Sequence, residues 1–276
     1  MNPVQKANWY IESFLSSELS LERIARASCV TPFHLTRAFG QATGRSVMKF
    51  VRQRRLTVAA HRLASGGRTV MEIALDAQYL SHEAFSRAFR EQFGVTPDHV
   101  RRQGTTKGLQ LTEACIMSES NRQVSAPRMI DHPEMLMAGI VRSYSYESSA
   151  AIPAQWNEFN EMETSVAGFV GDAAYGVIYN DDSEGNFQYL TAMEVQNYDG
   201  VGERYARLRI PARRYAVFSS DVHVSGLKAV MHDIWSNWLP GSGHAVADAP
   251  MLEVYGSSFN PQTGMGGFEI WLPLAS

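Results

Sequence analysis

The chain lacks the features that mark secreted and membrane-spanning proteins. It has only two cysteines in 276 residues, Cys29 and Cys115. We expect two reduced thiols and a cytoplasmic protein, with a redox switch as the alternative. No apolar run approaches the roughly 18 residues of a membrane span. Residues 1–15 lack the uninterrupted apolar stretch of a signal peptide, so we expect none.

Acidic residues are scarce in the first part of the chain. Residues 1–107 contain 16 Lys and Arg against 8 Asp and Glu, a balance of +8, whereas the remainder has 9 basic and 20 acidic residues. The net charge of −3 therefore hides a basic and an acidic half. A basic half favours attraction to phosphate, and the contrast suggests that the two halves have different tasks.

One sequence pattern occurs twice in the basic half. Residues 31–44 read TPFHLTRAFGQATG and residues 81–94 read SHEAFSRAFREQFG, so Arg37 matches Arg87 and Phe39 matches Phe89. Each copy begins with a helix-capping Thr or Ser and ends at a Gly that can close a helix. The pattern predicts two short helices, each with an apolar inner face and an arginine on its outer face.

The segments around the copies complete two helix-turn-helix units. LERIARA follows Ser20 and VMEIALD follows Thr69, and both have the apolar spacing of a short helix. Between the copies, SVMKFVRQRRLTVAAHRLA contains no Gly or Pro and predicts one helix of about 18 residues, or roughly 27 Å. That length approaches the separation of about 34 Å between successive major grooves on one face of DNA.

The outer faces of the two repeated helices supply the candidate DNA contacts: Phe33, Thr36 and Arg37 in the first copy, and His82, Glu83, Ser86 and Arg87 in the second. Arginine can bond bidentately to guanine. A lone arginine of this kind is usually a solvated surface residue, but two in register within a basic segment favour DNA reading. The cluster Arg52, Arg54 and Arg55 either contacts phosphate or forms a solvated face with internal salt bridges.

These residues resemble a known family of regulators. SLERIARASCVTPFHLTRAF and VMEIALDAQYLSHEAFSRAFREQFGVTPDHVRR closely resemble the AraC/XylS-type double helix-turn-helix domain, over about residues 5–105. The resemblance implies a seven-helix DNA-binding domain, a role in transcription and RNA polymerase as a partner. It carries base reading over to the residues named above. The family often has Asn, Gln or Ser at the position of Glu83, and an acidic group there repels phosphate.

The acidic half has a different pattern, with nine of the eleven tyrosines and four of the five tryptophans. Its periodicity predicts the order strand, helix, strand, strand, twice. The predicted strands are 134–146, 174–179, 187–195, 214–222, 251–257 and 267–274, and the predicted helices are 153–162 and 226–238. Duplicated β-α-β-β units predict an α+β sheet with two helices on one face.

Two glutamates near the end of the chain are candidate ligand groups. Glu253 and Tyr255 face one side of their strand, and Glu269 and Trp271 face one side of the next. We expect the hairpin to bring all four to a shared face. A carboxylate among aromatic rings suits an organic cation. The alternative is that these glutamates face solvent or bind backbone groups, while the aromatic rings form a core.

The second half also resembles a known family. MLMAGI, IPAQWNEF, YGVIY, IPARRYAVF and GGFEIWLPL are similar to GyrI-like small-molecule-binding domains, over about residues 126–276. The whole arrangement resembles Rob-like regulators, and its sensor resembles those of multidrug-responsive regulators. The resemblance implies a pocket between the two halves in which a buried glutamate binds lipophilic, often cationic, ligands. Glu269 is the first candidate and Glu253 the second, with walls from Trp156, Tyr179, Trp235, Tyr255 and Trp271.

The sequence therefore predicts a multidomain regulator without cofactor, metal or catalytic residues. An all-α double helix-turn-helix domain occupies residues 1–107, a linker 108–125, and an α+β GyrI-like domain 126–276. We expect it to bind double-stranded promoter DNA in two adjacent major grooves and to respond to a small effector. One alternative is an enzyme or scavenger for a hydrophobic compound, tethered to DNA, and another is a regulator whose second domain binds proteins.

Overall fold

The computed structural model describes residues 1–114, 124–162 and 168–275, which form two compact units. The helical unit comprises Met1, residues 3–35 and residues 46–118, and the sheet unit comprises Asn2, residues 36–45 and residues 119–276. Cys115 lies outside the described residues. Cys29 is an exposed free thiol.

Seven helices lie in residues 1–114, the number that the resemblance implies. They are α1 (Pro3–Ser13), α2 (Leu21–Ala27), α3 (Pro32–Thr43), α4 (Val47–Ser65), α5 (Val70–Asp76), α6 (His82–Phe93) and α7 (Pro97–Gln103). The first of them, α1, buries the apolar stripe Val4, Ala7 and Ile11.

Side-chain caps fix where most of these helices begin. Ser20, Ser46 and Ser81 each accept a hydrogen bond from a backbone N–H three residues later. Thr69 forms a complete capping box with Glu72. The connecting helix α4 has 19 residues, which agrees with the prediction. Residues 109–114, in the predicted linker, are not helical.

The second helix-turn-helix copy has its own apolar core. Phe85 and Phe89 from α6 are fully buried and pack with Ile73 and Ala74 of α5 and with Leu63 of α4. Their burial removes from water the face of α6 that the repeat predicts to point inward, which leaves the opposite face for other tasks.

Arg54 in the basic cluster on α4 has a structural role. It is 7% exposed, donates to both carboxylate oxygens of Glu12 at 2.7 and 2.8 Å, and donates to the carbonyl of Thr112. Its neighbour Arg55 donates to the carbonyls of Leu15 and Ser17. The interpretation as internal contacts therefore describes these two residues better than phosphate binding does.

The described part of the sheet unit contains eight strands in one sheet. They are β1 (Arg128–His132), β2 (Met135–Ser145), β3 (Phe169–Tyr179), β4 (Asn186–Val195), β5 (Ala206–Ile210), β6 (Arg213–Ser220), β7 (Met251–Tyr255) and β8 (Phe268–Pro273). Helix α8 (Ile152–Met162) follows β2. Helix α9 (Leu227–Asp233) follows β6 and continues through a π-helical turn, Ile234–Trp238. The duplicated order is confirmed, and β1 and β5 are additional.

The two additional strands exchange between the halves. The spatial order is β1-β6-β8-β7-β3-β4-β2-β5, with antiparallel pairing throughout. Strand β1 precedes β2 in sequence but pairs with β6, and β5 precedes β6 but pairs with β2. Each half therefore supplies the edge strand of the other, which ties the duplicated units into one sheet.

The pairing register assigns the side chains to two faces. Glu253 lies opposite Ile270, which lies opposite Phe218, so these three side chains share a face. Trp156 of α8 contacts Tyr255, and Trp238 contacts Phe218, with ring centroids 5.1 and 4.9 Å apart. Both helices therefore cover this side, which we call the helix face.

The opposite face of the sheet is an apolar cluster of its own. Tyr175, Val177, Leu252, Val254 and Trp271 are its central members, and all are less than 8% exposed. Among the described helices, none is long and apolar enough to cross a membrane.

Candidate functional site

Helix α6 presents the predicted second reading surface. Phe85 and Phe89 are fully buried, whereas His82, Glu83 and Arg87 are exposed and Ser86 is half-buried. Ser81 caps the helix by accepting from the N–H of Ala84 at 3.1 Å, and Gly94 ends it in the left-handed conformation. The expected orientation of all four outer side chains is confirmed.

The charges on α6 are unequal in their use to DNA. The guanidinium of Arg87 can offer its paired N–H groups to guanine O6 and N7. Hydrogen bonding to the backbone and to Ser81 at the helix N-terminus lowers the pKa of Glu83. The carboxylate therefore stays ionised, and it offsets the attraction of the helix N-terminus for phosphate.

Helix α3 differs from α6 in the exposure of its outer face. Arg37 is 2% exposed and Thr36 is 5% exposed, and Phe33 is half-buried. The expectation that Thr36 and Arg37 point outward into solvent is therefore wrong for this structure. The physical reason is that Arg37 forms an ion pair with Asp181, which belongs to the same compact unit.

The guanidinium of Arg37 is buried beside Asp181 and Trp235. Its Nη2 donates to Oδ2 of Asp181, and its guanidinium carbon lies 5.9 Å from the ring centroid of Trp235. Asp181 follows β3 in the turn that leads to β4. Burial raises the pKa of the Asp181 carboxyl, and the charge of Arg37 opposes that rise only in part. The carboxylate is therefore held at an energetic cost.

A second constellation surrounds Glu253 on the helix face. The side chain is 5% exposed, and its Oε2 accepts from the hydroxyls of Tyr189 at 2.6 Å and Tyr255 at 3.1 Å. The indole N–H of Trp156 donates in turn to the Tyr189 hydroxyl at 2.9 Å. Gly176 makes room for this arrangement, since a Cβ at that position would lie 2.7 Å from Oε2 of Glu253. We call these five residues the carboxylate site.

Burial sets the charge state of the carboxylate site. It raises the pKa of Glu253 to about 7, and the hydrogen bonds from Tyr189 and Tyr255 oppose the rise. Burial and the neighbouring Glu253 also raise the pKa values of both tyrosines, which keeps their hydroxyls protonated as donors. Near neutral pH the carboxyl is thus poised between its neutral and ionised forms, a state that a nearby cation would shift to the ionised form.

Glu269 lies in a different environment. It pairs in the sheet with Val254, so it projects from the face opposite to Glu253. Its oxygens accept from Arg128 at 2.7 Å, from Trp271 at 2.8 Å and from Ser219 at 3.1 Å. Burial alone would raise the pKa of Glu269, but these partners lower it below its usual value. Its charge is therefore already satisfied.

The residues predicted to line a single pocket are thus divided between two faces of the sheet. The prediction that both glutamates share a face with Tyr255 and Trp271 is wrong, because the register places Leu252, not Glu253, opposite Trp271. Trp156 and Tyr255 lie with Glu253, whereas Trp271 and Tyr179 belong to the opposite cluster. Trp235 is buried beside Arg37.

Comparison with known proteins identifies both parts of the chain. The model of the GyrI-like small molecule binding domain matches residues 125–275, and that of a helix-turn-helix domain matches residues 24–103. The chain belongs to the GyrI-like family. With this pairing of domains, the protein is a DNA-binding transcription regulator of the AraC type with a ligand-binding domain.

Three curated relatives are similar over different lengths. Transcriptional regulator Rob of Salmonella typhimurium is 22% identical over 268 residues, which cover 92% of this chain and 90% of the relative. Right origin-binding protein of Escherichia coli is 24% identical over 244 residues, covering 84% and 82%. Regulatory protein SoxS of Escherichia coli is 35% identical over 92 residues, covering 33% of this chain and 86% of that protein.

Sequence reasoning missed three residues that the geometry of the GyrI-like domain and its surroundings bring forward. They are Tyr189, Gly176 and Asp181, and none of them is among the site residues that the sequence predicts. A glycine inside a strand is a signal of close approach, and Gly176 fits that rule. Asp181 lies in a polar turn, and no sequence pattern connects it with Arg37.

Proposed function

We propose that this regulator reads DNA through α3 and α6 and responds to a lipophilic cation at Glu253. The proposal keeps the domain limits predicted above, with residues 1–107 for DNA, 108–125 as linker and 126–276 for the effector. It also keeps the seven predicted DNA contacts. For the effector site, it makes Glu253 the first candidate and Glu269 the second. We further propose a cytoplasmic regulator that works with RNA polymerase and acts by binding, not by turnover.

The observation that carries the effector assignment is the buried carboxylate of Glu253. A carboxyl that is 5% exposed and surrounded by Trp156, Tyr189 and Tyr255 attracts a cation by charge and by ring faces. Low polarity around the site strengthens the attraction and excludes small hydrated ions, which lose more hydration on entry. Glu269 offers no such opportunity, because Arg128 already neutralises it.

The DNA assignment rests on the outer faces of the repeated helices. Arg87 is exposed on α6 beside Ser86 and His82, in the position that a recognition helix offers to the major groove. The 19 residues of α4 correspond to about 28 Å. This length supports reading of two adjacent grooves by one chain.

Arginine substitutions test DNA reading. Arg87→Ala and Arg37→Ala should each cost about 1–3 kcal/mol of binding to a duplex selected from a random library with the wild-type chain. Fluorescence anisotropy at one fixed ionic strength gives the affinities. Arg55→Ala is not a suitable control, because that side chain supports the fold, so exposed Arg26→Ala serves instead. Wild-type affinity in both Arg37→Ala and Arg87→Ala would refute the assignment.

A pair of glutamate variants tests the effector site. Tetraphenylphosphonium should bind the wild type, measured by calorimetry, while tetraphenylborate, of the same shape and opposite charge, should not. Glu253→Gln should lower the affinity about tenfold or more, because it removes the buried charge and keeps the hydrogen-bond acceptor. Glu269→Gln is the matched control and should bind like the wild type. A loss in Glu269→Gln alone would contradict the assignment.

The enzymatic alternative predicts chemical change of the bound compound. The hydrogen-bond partners of Glu253 in the described part of the chain are phenol hydroxyls, which suit binding better than nucleophilic attack. Recovery of the ligand unchanged after prolonged incubation supports the sensor. Turnover that disappears in Glu253→Gln would favour the enzyme.

A further inference from the structure

Arg37, the arginine of α3 that is proposed to read bases, forms an ion pair with an acidic residue of its own chain. Residues 36–43 of α3 belong to the sheet unit, and within that unit Arg37 pairs with Asp181. The Arg37 and Asp181 side chains are 2% and 8% exposed. Neither group is accessible to a macromolecule while this pair exists.

The chemistry of the pair competes directly with DNA. A carboxylate presents acceptor oxygens to a guanidinium, and the Hoogsteen edge of guanine presents O6 and N7 to the same N–H groups. Trp235 adds a ring at 5.9 Å from the guanidinium carbon. While it pairs with Asp181, Arg37 is 2% exposed, so its guanidinium cannot reach a base without leaving this position.

The energy of the pair suits a contact that opens and closes. Burial keeps the pKa of Asp181 above its usual value even beside Arg37, so the cost of desolvation is not fully repaid. Buried ion pairs of this kind contribute little net stability, whereas removal of one partner leaves the other charge strongly destabilised. A small additional free energy can therefore separate the two groups.

A second contact holds the same stretch of helix. Gly40 lies one turn after Arg37, and a Cβ at that position would overlap the ring of Tyr146. Glycine is unfavourable inside a helix, so its presence here reflects the close approach of that ring. Tyr146 contacts Phe187 with centroids 5.8 Å apart.

A continuous row of rings leads from this contact to the carboxylate site. Phe187 contacts Tyr144 at 6.3 Å between centroids, and Tyr144 contacts Tyr189 at 6.4 Å. The hydroxyl of Tyr189 donates to Glu253 at 2.6 Å. A ligand that displaces Tyr189 from Glu253 would therefore disturb rings that pack in sequence up to Gly40.

We propose that the pair Arg37–Asp181 is an autoinhibitory latch, which withholds the first recognition helix from DNA while α6 stays exposed. The latch rests on the proposed function, in which Arg37 reads DNA. Release frees the Arg37 guanidinium and lets both helices engage. The latched chain keeps one reading helix, which gives weaker binding to the full site.

Removal of the acidic partner tests the latch in the full chain. Asp181→Asn should raise affinity for the selected duplex about tenfold, because the binding-competent fraction rises when Arg37 loses its counter-charge. Glu184→Gln is the matched control, since this exposed residue lies in the same turn and its change removes the same charge. Equal affinities of Asp181→Asn and Glu184→Gln would overturn the proposal.

A second variant opens the latch without a change of charge. Gly40→Ala introduces a methyl group against Tyr146 and improves helix propensity, so it should also raise DNA affinity. Circular dichroism verifies that each variant is folded. The latch is overturned if Asp181→Asn shows no gain in DNA affinity, and equally if a folded Gly40→Ala shows none. A loss of binding in Arg37→Ala supports DNA reading independently, so failure of one proposal is distinguishable from failure of the other.

Discussion

The two repeated helices, α3 and α6, share one sequence pattern and have very different surroundings. Phe39 and Phe89 occupy matching positions and are both fully buried. The matching arginines are opposites, since Arg37 is 2% exposed and Arg87 is exposed. The repeat therefore specifies the helix and its buried inner face. The exposure of the outer face depends on residues far away in the chain, such as Asp181.

The two glutamates of the last hairpin also have similar local sequences and different surroundings. Glu253 and Glu269 lie in adjacent strands with an aromatic residue two positions later in each. One is buried among tyrosines, and the other is neutralised by Arg128. Equivalent local patterns thus give a poised carboxyl and a satisfied ion pair.

The largest predicted effect concerns the pH dependence of the two glutamates. Because burial raises the pKa of Glu253 to about 7, a cation competes with a proton below that pH. Affinity for tetraphenylphosphonium should rise about 30-fold between roughly pH 5.5 and pH 8, as the ionised fraction increases, and then level off. The charge of this probe does not titrate, so the profile reports the protein. Calorimetry at each pH measures it.

Variants assign this profile to one glutamate. Glu269→Gln should retain the rise, because the pKa of Glu269 is already lowered by Arg128, Trp271 and Ser219. Glu253→Gln should give a weak, flat profile. A flat profile in the wild type would show that the poised carboxyl does not hold the cation.

The smallest predicted effect is a difference in unfolding free energy between the N-caps of α2 and α5, the first helices of the two helix-turn-helix copies. Thr69 accepts from the Glu72 N–H at 3.2 Å while Glu72 accepts from the Thr69 N–H at 2.7 Å. Ser20 accepts from the Arg23 N–H at 3.3 Å, but the arginine side chain has no acceptor with which to complete a capping box. Thr69→Ala should therefore cost about 1–2 kcal/mol of unfolding free energy, and Ser20→Ala about 0.5–1 kcal/mol. Urea unfolding followed by circular dichroism distinguishes these from equal costs.

Local patterns predicted most of the elements and little of their pairing. Caps and apolar stripes were sufficient to predict α2 to α6. Alternation of apolar and polar residues was sufficient to predict the other six strands, β2, β3, β4, β6, β7 and β8. Strands β1 and β5 were missed because each has five residues and falls outside the repeated order of strand, helix, strand and strand, although ARLRI in β5 does alternate. The face of Glu253 depends on the register Leu252–Trp271, which strand alternation leaves undetermined.

The contact between Arg37 and Asp181 was beyond sequence reasoning for a related reason. The residues are 144 positions apart, and each lies in a segment whose local pattern has an ordinary explanation. A capped helix predicts an exposed arginine, and a turn predicts an exposed aspartate. Their burial is a property of tertiary packing, which local propensities do not encode.

Chemical labelling of the two arginines tests the central comparison most directly. Phenylglyoxal reacts with accessible guanidinium groups, and peptide mass spectrometry gives the rate at each residue of the free full-length chain. We expect Arg87 to react quickly and Arg37 to be protected, with protection lost in Asp181→Asn and retained in Glu184→Gln. Equal rates at Arg37 and Arg87 in the wild type would contradict the account.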